Sequence, residues 1–330
     1  MKPHKIESPV DLHTPAQRAF LSDGIENCEQ YADGFAPADA PLPVTLSWDA
    51  DAPGPFTVRV SENEDLTGAR VFTTDAPTLD VYNLKIGARY YWTVNEETPE
   101  SFTTADAAPR NLSVGGVMNV RDLGGWKTVD GRRVRQGLVF RTSALDYFSE
   151  SEKKMKNCVD AEGLRTLREL GIRTEIDLRV GHDGDPGYPP EGKTESTLGE
   201  GVRYLHCPIL LGPENYLNSV DSLRTIFKTL ADPANYPVAY HCAVGADRTG
   251  FVSYLLLSLL GVEREDVLRD YLFTNFSEQK MYRPPINRGY KITVDETPGA
   301  SLRDKVRRIL TEMIGVPEET LDKVVANLTE

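Results

Sequence analysis

The sequence predicts a small all-β sandwich followed by an α/β domain with a central, mostly parallel sheet and helices on both faces. Hydrophobic residues alternate with period two from about residue 41 to 106, with no helical pattern between them. Beyond residue 110, strand patterns alternate with helix patterns, which is typical of a parallel sheet covered on both sides. Charge changes at the same place, since residues 1–108 hold 18 acidic and 7 basic residues and the remainder holds 32 and 30. We therefore predict an N-terminal extension over 1–36, the sandwich over 37–108 and the α/β domain over 109–330.

The first module divides into six half-buried strands separated by Pro, Gly, Asn and Asp, and the polar extension before it is expected to wrap or link. This module resembles the fibronectin type III fold. Residues 84–90, Leu-Lys-Ile-Gly-Ala-Arg-Tyr, look like the Leu-x-Pro-Gly-Thr-x-Tyr corner of that family, and Trp48 lies where the family often carries a core tryptophan. The strands are predicted over 44–48, 56–60, 69–73, 78–82, 90–94 and 101–104.

The second module alternates strands and helices as a layered α/β domain requires. An amphipathic helix is predicted over 151–170, with Ser149 or Ser151 as its N-cap and Gly171 after its last turn. An apolar run over 249–260, ended by Gly261, predicts a buried helix. The predicted strands lie over 138–140, 173–178, 202–206 and 237–241, and the other predicted helices over 220–230, 263–275 and 301–314.

Composition excludes several classes of function. The formal net charge of −13 argues against nucleic acid and against an anionic membrane as partners. The longest apolar run, 251–260, is about half as long as a membrane span requires. Four cysteines without a CxxC pair indicate free thiols in a reducing compartment, and five histidines in no metal-ligand pattern predict no metal site. The start of the chain lacks an apolar signal sequence, so we predict a cytoplasmic protein, or a secreted or periplasmic one if a signal peptide had been removed.

Chemistry is concentrated where the buried strand 237–241 runs into a short glycine-containing loop and then into the apolar helix. Successive backbone N–H groups of such a loop, together with the helix N-terminus, form a cradle for an anion. Cys242 begins the loop, where the same positive field favours a thiolate nucleophile. Arg248 can bind two phosphate oxygens, Thr249 can hydrogen-bond the thiolate, and Gly245 gives the loop a conformation that a Cβ would hinder.

This stretch resembles the signature of the protein-tyrosine phosphatase superfamily, His-Cys-x-x-Gly-x-x-Arg-Ser/Thr-Gly, and matches every fixed position. The resemblance implies a cysteine-phosphatase fold and hydrolysis of phosphomonoesters through a phosphocysteine intermediate, without a cofactor. It also implies that the loop residues bind the phosphate while His241 supports the cysteine. The loop residues concerned are Ala243, Val244, Gly245 and Ala246.

Three further stretches narrow the resemblance to the bacterial and fungal branch marked by Asn-x-Arg-Asp-x-Gly-Gly and Cys-x-x-Gly-x-Asp-Arg-Thr-Gly. They lie at 119–125, 137–145 and 170–179, and the similarity runs from about residue 110 to 276. Within them, Arg121 and Asp122 are expected either to bind substrate or to brace the loop. Asp177 and Arg179 are expected as supporting residues behind it.

A general acid must protonate the leaving oxygen, and many tyrosine phosphatases use an aspartate on a Trp-Pro-Asp loop. This chain has tryptophans at 48, 92 and 126, none of them before Pro-Asp. The resemblance points instead to Asp247, inside the loop. A carboxylate beside Arg248 is normally ionised, so the role requires the thiolate or the substrate to favour protonation. Asp183 and Asp185, in the glycine-rich segment 181–187 that could close as a lid, are the alternative general acids.

The predicted substrate is phosphotyrosine in a protein, with a dual-specificity enzyme included. Ala246 replaces the lysine that this branch commonly carries before the aspartate, and one cation fewer favours a monophosphate. A phosphoinositide or inositol-phosphate phosphatase is the alternative. An alternative of another class is a non-catalytic module that binds a phosphorylated partner, which the intact Cys242 and Arg248 disfavour.

Two features remain outside this chemistry. The sandwich carries no catalytic constellation, so it is expected either to stabilise the catalytic domain or to dock a protein partner through its acidic surface. Cys207 stands in a His-Cys pair like that of Cys242 and is expected on the neighbouring strand. We interpret it as a core cysteine, with a reversible disulfide to Cys242 as the alternative.

Overall fold

The computed structural model describes residues 2–23, 25–181, 187–189, 191–285 and 289–330. Three parts follow one another along the chain: a short extension, two small antiparallel sheets, and a six-stranded mixed sheet surrounded by helices. Among the described residues, none of the helices combines the length and the hydropathy that a bilayer span requires.

The two small sheets are built from period-two segments, in which buried and exposed side chains alternate because successive residues of a strand point to opposite faces. Seven strands of the described chain build them: β1 (Lys2–Pro3), β2 (Val44–Asp49), β3 (Phe56–Ser61), β4 (Arg70–Thr74), β5 (Thr78–Val81), β6 (Arg89–Val94) and β7 (Glu100–Thr103). The strand orders are β1-β2-β5 and β4-β3-β6-β7, and every pairing is antiparallel.

Apolar side chains of both sheets fill one core, where the rings of Trp48 and Trp92 lie 6.3 Å apart. The hydroxyl of Tyr90 accepts a hydrogen bond from the Lys85 N–H at 2.8 Å, which closes the corner at 84–90. The predicted all-β sandwich is therefore confirmed, while its assignment to the fibronectin type III fold stays a prediction.

The central sheet follows the sandwich and combines parallel strands with a short antiparallel edge. Its strands are β8 (Arg110–Asn111), β9 (Arg121–Asp122), β10 (Val139–Thr142), β13 (Thr174–Asp177), β14 (Arg203–His206) and β15 (Val238–His241), with β11 (Asp146–Ser149) and β12 (Lys154–Asn157) forming a separate antiparallel pair. The order is β14-β13-β15-β10-β9-β8, in which the first four strands run parallel. The last two pair antiparallel. This sheet confirms the predicted α/β class.

Helices enclose the central sheet: α2 (Ala161–Glu169), α3 (Val220–Leu230), α4 (Asp247–Leu260), α5 (Arg264–Leu272), α6 (Gly289–Glu296), α7 (Leu302–Arg308) and α8 (Glu318–Leu328). Every residue of α4 after the first is buried, because the helix runs through the largest apolar core of the chain. Gly261 ends α4 at φ +86°, in the left-handed conformation that favours glycine. The α4 and α3 predictions are confirmed closely.

The predicted helix over 151–170 is wrong in its first half. Residues 154–157 form β12 against β11, and α2 begins only at Ala161, where the Asp160 side chain accepts the Gly163 N–H at 2.8 Å. Residues 153–157, Lys-Lys-Met-Lys-Asn, carry few apolar groups to bury against the core, so strand pairing prevails there. Asp160 is therefore the N-cap of this helix, and neither of the two predicted serines is.

The extension is folded rather than a bare linker, and it contains α1 (Pro15–Ser22) and a 3-10 turn (Ile25–Gln30). Phe20 and Cys28 are fully buried. They pack in one cluster with the end of α5 and the turn after it, namely Tyr271, Leu272, Phe273 and Phe276. The extension therefore wraps onto the α/β part of the chain.

Candidate active site

The loop between β15 and α4 places Cys242 at the carboxyl end of a buried parallel strand. Gly245 takes φ +69°, and a Cβ there would lie 2.5 Å from the Thr142 carbonyl oxygen and 2.7 Å from the Ser143 nitrogen. Glycine is therefore required both by backbone conformation and by space. The loop consequently lies directly against the end of β10.

The N-terminus of α4 is open to an anion. Ala246 is its N-cap and no side chain caps it; α3, α5 and α8 also begin without a side-chain cap, whereas Thr14, Asp160 and Ser301 cap the helices they precede. The first backbone N–H groups of a helix lack intrahelical partners and carry partial positive charge. This cap position therefore leaves donors for a bound phosphate.

Two predicted groups lie beside this helix end. The Arg248 side chain is in the first turn of α4, and its Nη1 lies 3.5 Å from the Leu178 carbonyl oxygen. Thr249 is fully buried, and its Oγ1 has no hydrogen-bond partner among the described residues. Cys242 is 1% exposed. A buried hydroxyl that lacks an acceptor is suited to donate to a thiolate formed nearby.

The three variable loop positions carry no charge into the cradle. The carbonyl of Ala243 accepts the Ala144 N–H at 3.0 Å, which ties the loop to the segment after β10. The carbonyl of Val244 lies 3.4 Å from the Gln279 Nε2. Ala246 is fully buried.

A buried network supports the end of β15 next to Cys242. His241 Nε2 lies 3.1 Å from a Glu175 carboxylate oxygen, which also accepts from Lys193 Nζ at 2.9 Å. Arg179 binds the Asp177 carboxylate at 2.6 Å, and His241 Nδ1 lies 3.8 Å from that carboxylate. The structure thus brings the three predicted supporting residues into one cluster with two that the sequence did not reveal.

The charges in this cluster compensate one another. Burial would raise the pKa of Glu175, but its hydrogen bond to His241 and the charges of His241 and Lys193 lower the pKa below its usual value. The pKa of Asp177 is also lowered, because His241 and Arg179 outweigh burial. Ligand atoms of Glu175, Asp177 and His241 lie within 4.8 Å of one another, but Lys193 and Arg179 already pair with the carboxylates. We therefore interpret this cluster as an ion-pair network and not as a metal centre.

Arg121 is linked to the loop between β15 and α4 indirectly, through buried partners. Its Nε lies 3.2 Å from Asp270, and its Nη1 donates to Asn119 Oδ1. Arg141 donates to the other Asp270 oxygen at 2.6 Å and to the Gly245 carbonyl at 2.8 Å. Burial and the neighbouring charge of Arg141 lower the pKa of Arg121 to about 10, while Asp270 opposes that change. Asp270 therefore compensates two buried guanidinium groups under the loop.

Asp122 is fully buried, and its contacts connect the central sheet to the sandwich. It accepts Arg110 Nη1 at 2.7 Å and the N–H groups of Gly124 and Gly137 at 2.8 and 2.6 Å. Arg110 in turn donates to backbone carbonyls of the sandwich. Of the two roles expected for Arg121 and Asp122, the structure shows contacts of the bracing kind.

Asp247 forms an ion pair with Arg283, a residue that the sequence did not indicate as part of the site. Arg283 reaches its carboxylate at 3.0 Å through Nη2, and Asn275 fixes the Arg283 backbone with two hydrogen bonds. Arginine in the weakly patterned segment after α5 carries no local signal of this contact, which joins positions 36 residues apart. The alternative acids Asp183 and Asp185 lie outside the described residues.

Cys207 does not lie on the strand next to the nucleophile. It follows β14, and β13 separates that strand from β15, with Asp177 opposite both His206 and His241. Two strand spacings amount to about 9–10 Å, whereas a disulfide needs Cα atoms within about 7 Å. Burial raises the pKa of the Cys207 thiol to about 12. The expectation of a neighbouring strand is wrong, and the core-cysteine interpretation is the one that fits.

The loop that begins at Cys242 lies at the carboxyl end of β15 with α4 leading away from it, as expected for a cysteine-dependent phosphatase of the α/β class. Residues 112–330 match the family described as "Tyrosine phosphatase family". The chain belongs to this family and is classed with the phosphoric monoester hydrolases. Residues 1–111, with the extension and the sandwich, lie outside the matched range.

Individual proteins share this similarity. A protein of Cupriavidus necator named as a tyrosine-protein phosphatase is 28% identical over 203 residues, covering 54% of this chain and 68% of that protein. The triple specificity protein phosphatase PtpB of Mycobacterium tuberculosis is 24% identical over 269 residues, covering 64% of this chain and 89% of that protein. The solved core catalytic domain of the PP-IP phosphatase SIW14 from S. cerevisiae, in complex with citrate, aligns with a TM-score of 0.34 and 17% identity over 54% of this chain and 90% of that chain.

Proposed function

We propose that this protein hydrolyses phosphomonoesters through a phosphocysteine intermediate. The Cys242 thiolate attacks phosphorus, the S–P bond forms, and the P–O bond to the leaving group breaks as that oxygen takes up a proton. Water then attacks phosphorus and gives a proton to the carboxylate that donated one in the first step. The S–P bond breaks, inorganic phosphate is released, and the thiolate, which Thr249 can hydrogen-bond, is regenerated. Arg248 binds equatorial oxygens, whose charge it stabilises most in the transition state.

The observation that carries this proposal is the position of Cys242 between the end of β15 and the uncapped N-terminus of α4, whose first turn carries Arg248. Ala246 offers no side-chain acceptor, and Gly245 takes a left-handed conformation within the loop. The first backbone N–H groups of α4 therefore have no side-chain acceptor. A phosphate supplies the missing acceptors.

The proton donor to the leaving group is assigned to Asp247. Its side chain is 29% exposed, so it can reach a bound ester, and it precedes Arg248 in the first turn of α4. The Arg283 ion pair must open, or be shared with the substrate, before Asp247 can carry a proton. Asp183 and Asp185 remain the alternative donors. An Asp247→Asn variant that retains normal turnover of aryl phosphates with poor leaving groups would refute the assignment.

The favoured substrate is a phosphotyrosine protein, with dual specificity included. Ala243, Val244 and Ala246 add no cation to the cradle, which favours one phosphate over several. The names of the similar Cupriavidus and Mycobacterium proteins support a protein phosphatase. Phosphoinositides and inositol phosphates are the alternative substrate class.

We further propose the division into an extension (1–36), a sandwich (37–108) and a catalytic domain (109–330), with the sandwich as a docking module. Cytoplasmic location is also a proposal, supported by four cysteines that are free in the structure. Deletion of the sandwich with its extension would separate docking from stabilisation, by comparing turnover of phosphopeptides with that of small aryl phosphates.

The test of the function is turnover of a substrate panel by the wild type and by Cys242→Ser. The panel contains phosphotyrosine, phosphoserine and phosphothreonine peptides, mono- and polyphosphoinositides, and inositol hexakisphosphate. Phosphotyrosine turnover that disappears in Cys242→Ser supports the proposal, and preference for inositides moves the function to the alternative class. No turnover of any ester, with tight vanadate binding, would instead identify a phospho-ligand binding module.

A further inference from the structure

The loop between β15 and α4, residues 242–246, is called the phosphate loop. One carboxylate oxygen of Asp39, which precedes the predicted catalytic domain, connects two segments that contact this loop. Asp39 Oδ2 accepts the Asn119 backbone N–H at 2.6 Å and the Ser277 hydroxyl at 2.6 Å. These partners are 80 and 238 residues away in the sequence. Hydrogen bonds of this length to an ionised acceptor are among the stronger ones in proteins.

The first partner, Asn119, touches the phosphate loop directly. Its Nδ2 donates to the Gly245 carbonyl at 2.8 Å and to Thr274 Oγ1 at 2.5 Å, and its side chain is fully buried. Its backbone takes φ +59°, a left-handed conformation that asparagine adopts more readily than most non-glycine residues. The bond from its N–H to Asp39 is one of the contacts that hold it.

The second partner, Ser277, begins the segment that covers the other side of the loop. In this segment Gln279 Nε2 lies 3.4 Å from the Val244 carbonyl, and Arg283 binds Asp247. The N-terminal extension also holds this segment by its backbone, since the Gly34 carbonyl accepts the N–H groups of Gln279 and Lys280 at 2.7 and 2.9 Å. The geometry of the loop is therefore fixed from both sides by residues 34–39.

We propose that Asp39, at the end of the stretch leading into the sandwich, is a positioning residue for the phosphate loop. It lies outside the range 112–330 that matches the family, so this chain completes its active site with a residue from its own N-terminal part. Its effect passes through Asn119 to the Gly245 carbonyl and through Ser277 to the wall that carries Arg283. The proposal concerns the same site as the proposed function and rests on it for the turnover readout.

The test compares Asp39→Ala with Asp39→Asn. Both hydrogen bonds end on one oxygen, so an asparagine amide oxygen can accept both while alanine accepts neither. Asp33→Ala is the matched control, because Asp33 also lies in the N-terminal stretch before β2 and its Oδ1 accepts the N–H of exposed Phe35. The readouts are kcat and KM for para-nitrophenyl phosphate, the pH profile of Cys242 alkylation by iodoacetamide, and Tm.

A displaced loop lowers kcat/KM about 10- to 100-fold in Asp39→Ala, mainly through kcat, since small misplacements of catalytic groups cost that much. We expect Asp39→Asn and Asp33→Ala to stay within about threefold of wild type, with all Tm values within a few degrees. Alkylation of Cys242 in Asp39→Ala should shift to higher pH, because a disordered cradle stabilises the thiolate less.

Wild-type turnover in Asp39→Ala with an unshifted alkylation profile would overturn the proposal. Equal losses in Asp39→Ala and Asp39→Asn, with a large fall in Tm, would also overturn it, since the residue would then be structural. Should the wild type lack phosphatase activity, the proposed function fails on its own. The alkylation profile, which needs no substrate, then still decides the role of Asp39.

Discussion

Replacing Asp270 by asparagine is the sharpest perturbation of the framework under the phosphate loop. The carboxylate lies between Arg121 and Arg141 at 3.2 and 2.6 Å, and all three side chains are at most 1% exposed. Asparagine keeps the shape but leaves two buried guanidinium groups without a compensating charge. Breaking a buried ion pair by removing one partner costs about 3–5 kcal/mol. Because the amide still accepts one hydrogen bond, we expect about 3 kcal/mol of the unfolding free energy to be lost.

The assay is urea unfolding followed by tryptophan fluorescence, with Trp126 in the catalytic core and Trp48 and Trp92 in the sandwich as reporters. With a slope of about 3 kcal/mol per molar urea, the midpoint of the catalytic transition should fall by about 1 M. Turnover should fall as well, since Arg141 donates to the Gly245 carbonyl.

Asp266→Asn is the control on the same helix, because the Asp266–Arg269 pair is 28% and 20% exposed. An exposed pair of this kind contributes about 0.2–1 kcal/mol. If Asp270→Asn loses no more stability than Asp266→Asn, the reasoning that Asp270 compensates buried charge is refuted.

Gly245→Ala should abolish turnover while the fold persists, because its Cβ would lie 2.5 Å from the Thr142 carbonyl oxygen; normal turnover of the purified variant would contradict this. Cys207→Ser should retain activity, and iodoacetamide at pH 8 should label Cys242 but not Cys207 in the native wild type, because burial raises the pKa of Cys207 to about 12. Glu175→Gln should destabilise the protein at pH 7. Because the folded-state pKa of Glu175 is lowered, its stabilisation is present above the unfolded value of about 4.3 and is lost as pH falls through the folded one. The difference in unfolding free energy from wild type should therefore shrink below pH 4; a constant difference would contradict the charge argument.

Local patterns were sufficient for much of the fold. Period-two alternation gave the strands of the sandwich, and the apolar run ended by Gly261 gave α4 nearly to the residue. The helix predicted over 151–170 failed because its first half has no apolar stripe to bury, and pairing between β11 and β12 decided that segment. Pairing between strands depends on a partner, which a helix pattern read in one window does not contain.

The sequence alone predicted the chemistry of one continuous stretch: Cys242, Gly245, Asp247 and Arg248 stand within a few residues, and strand, loop and helix follow from their order. The tertiary structure decided which distant groups hold that stretch in place. Asp270 reaches Arg121 across 149 residues, and Asp39 reaches Ser277 across 238. A buried charge must find a compensating charge or hydrogen bond somewhere in the folded chain, but its own sequence neighbourhood does not specify which one.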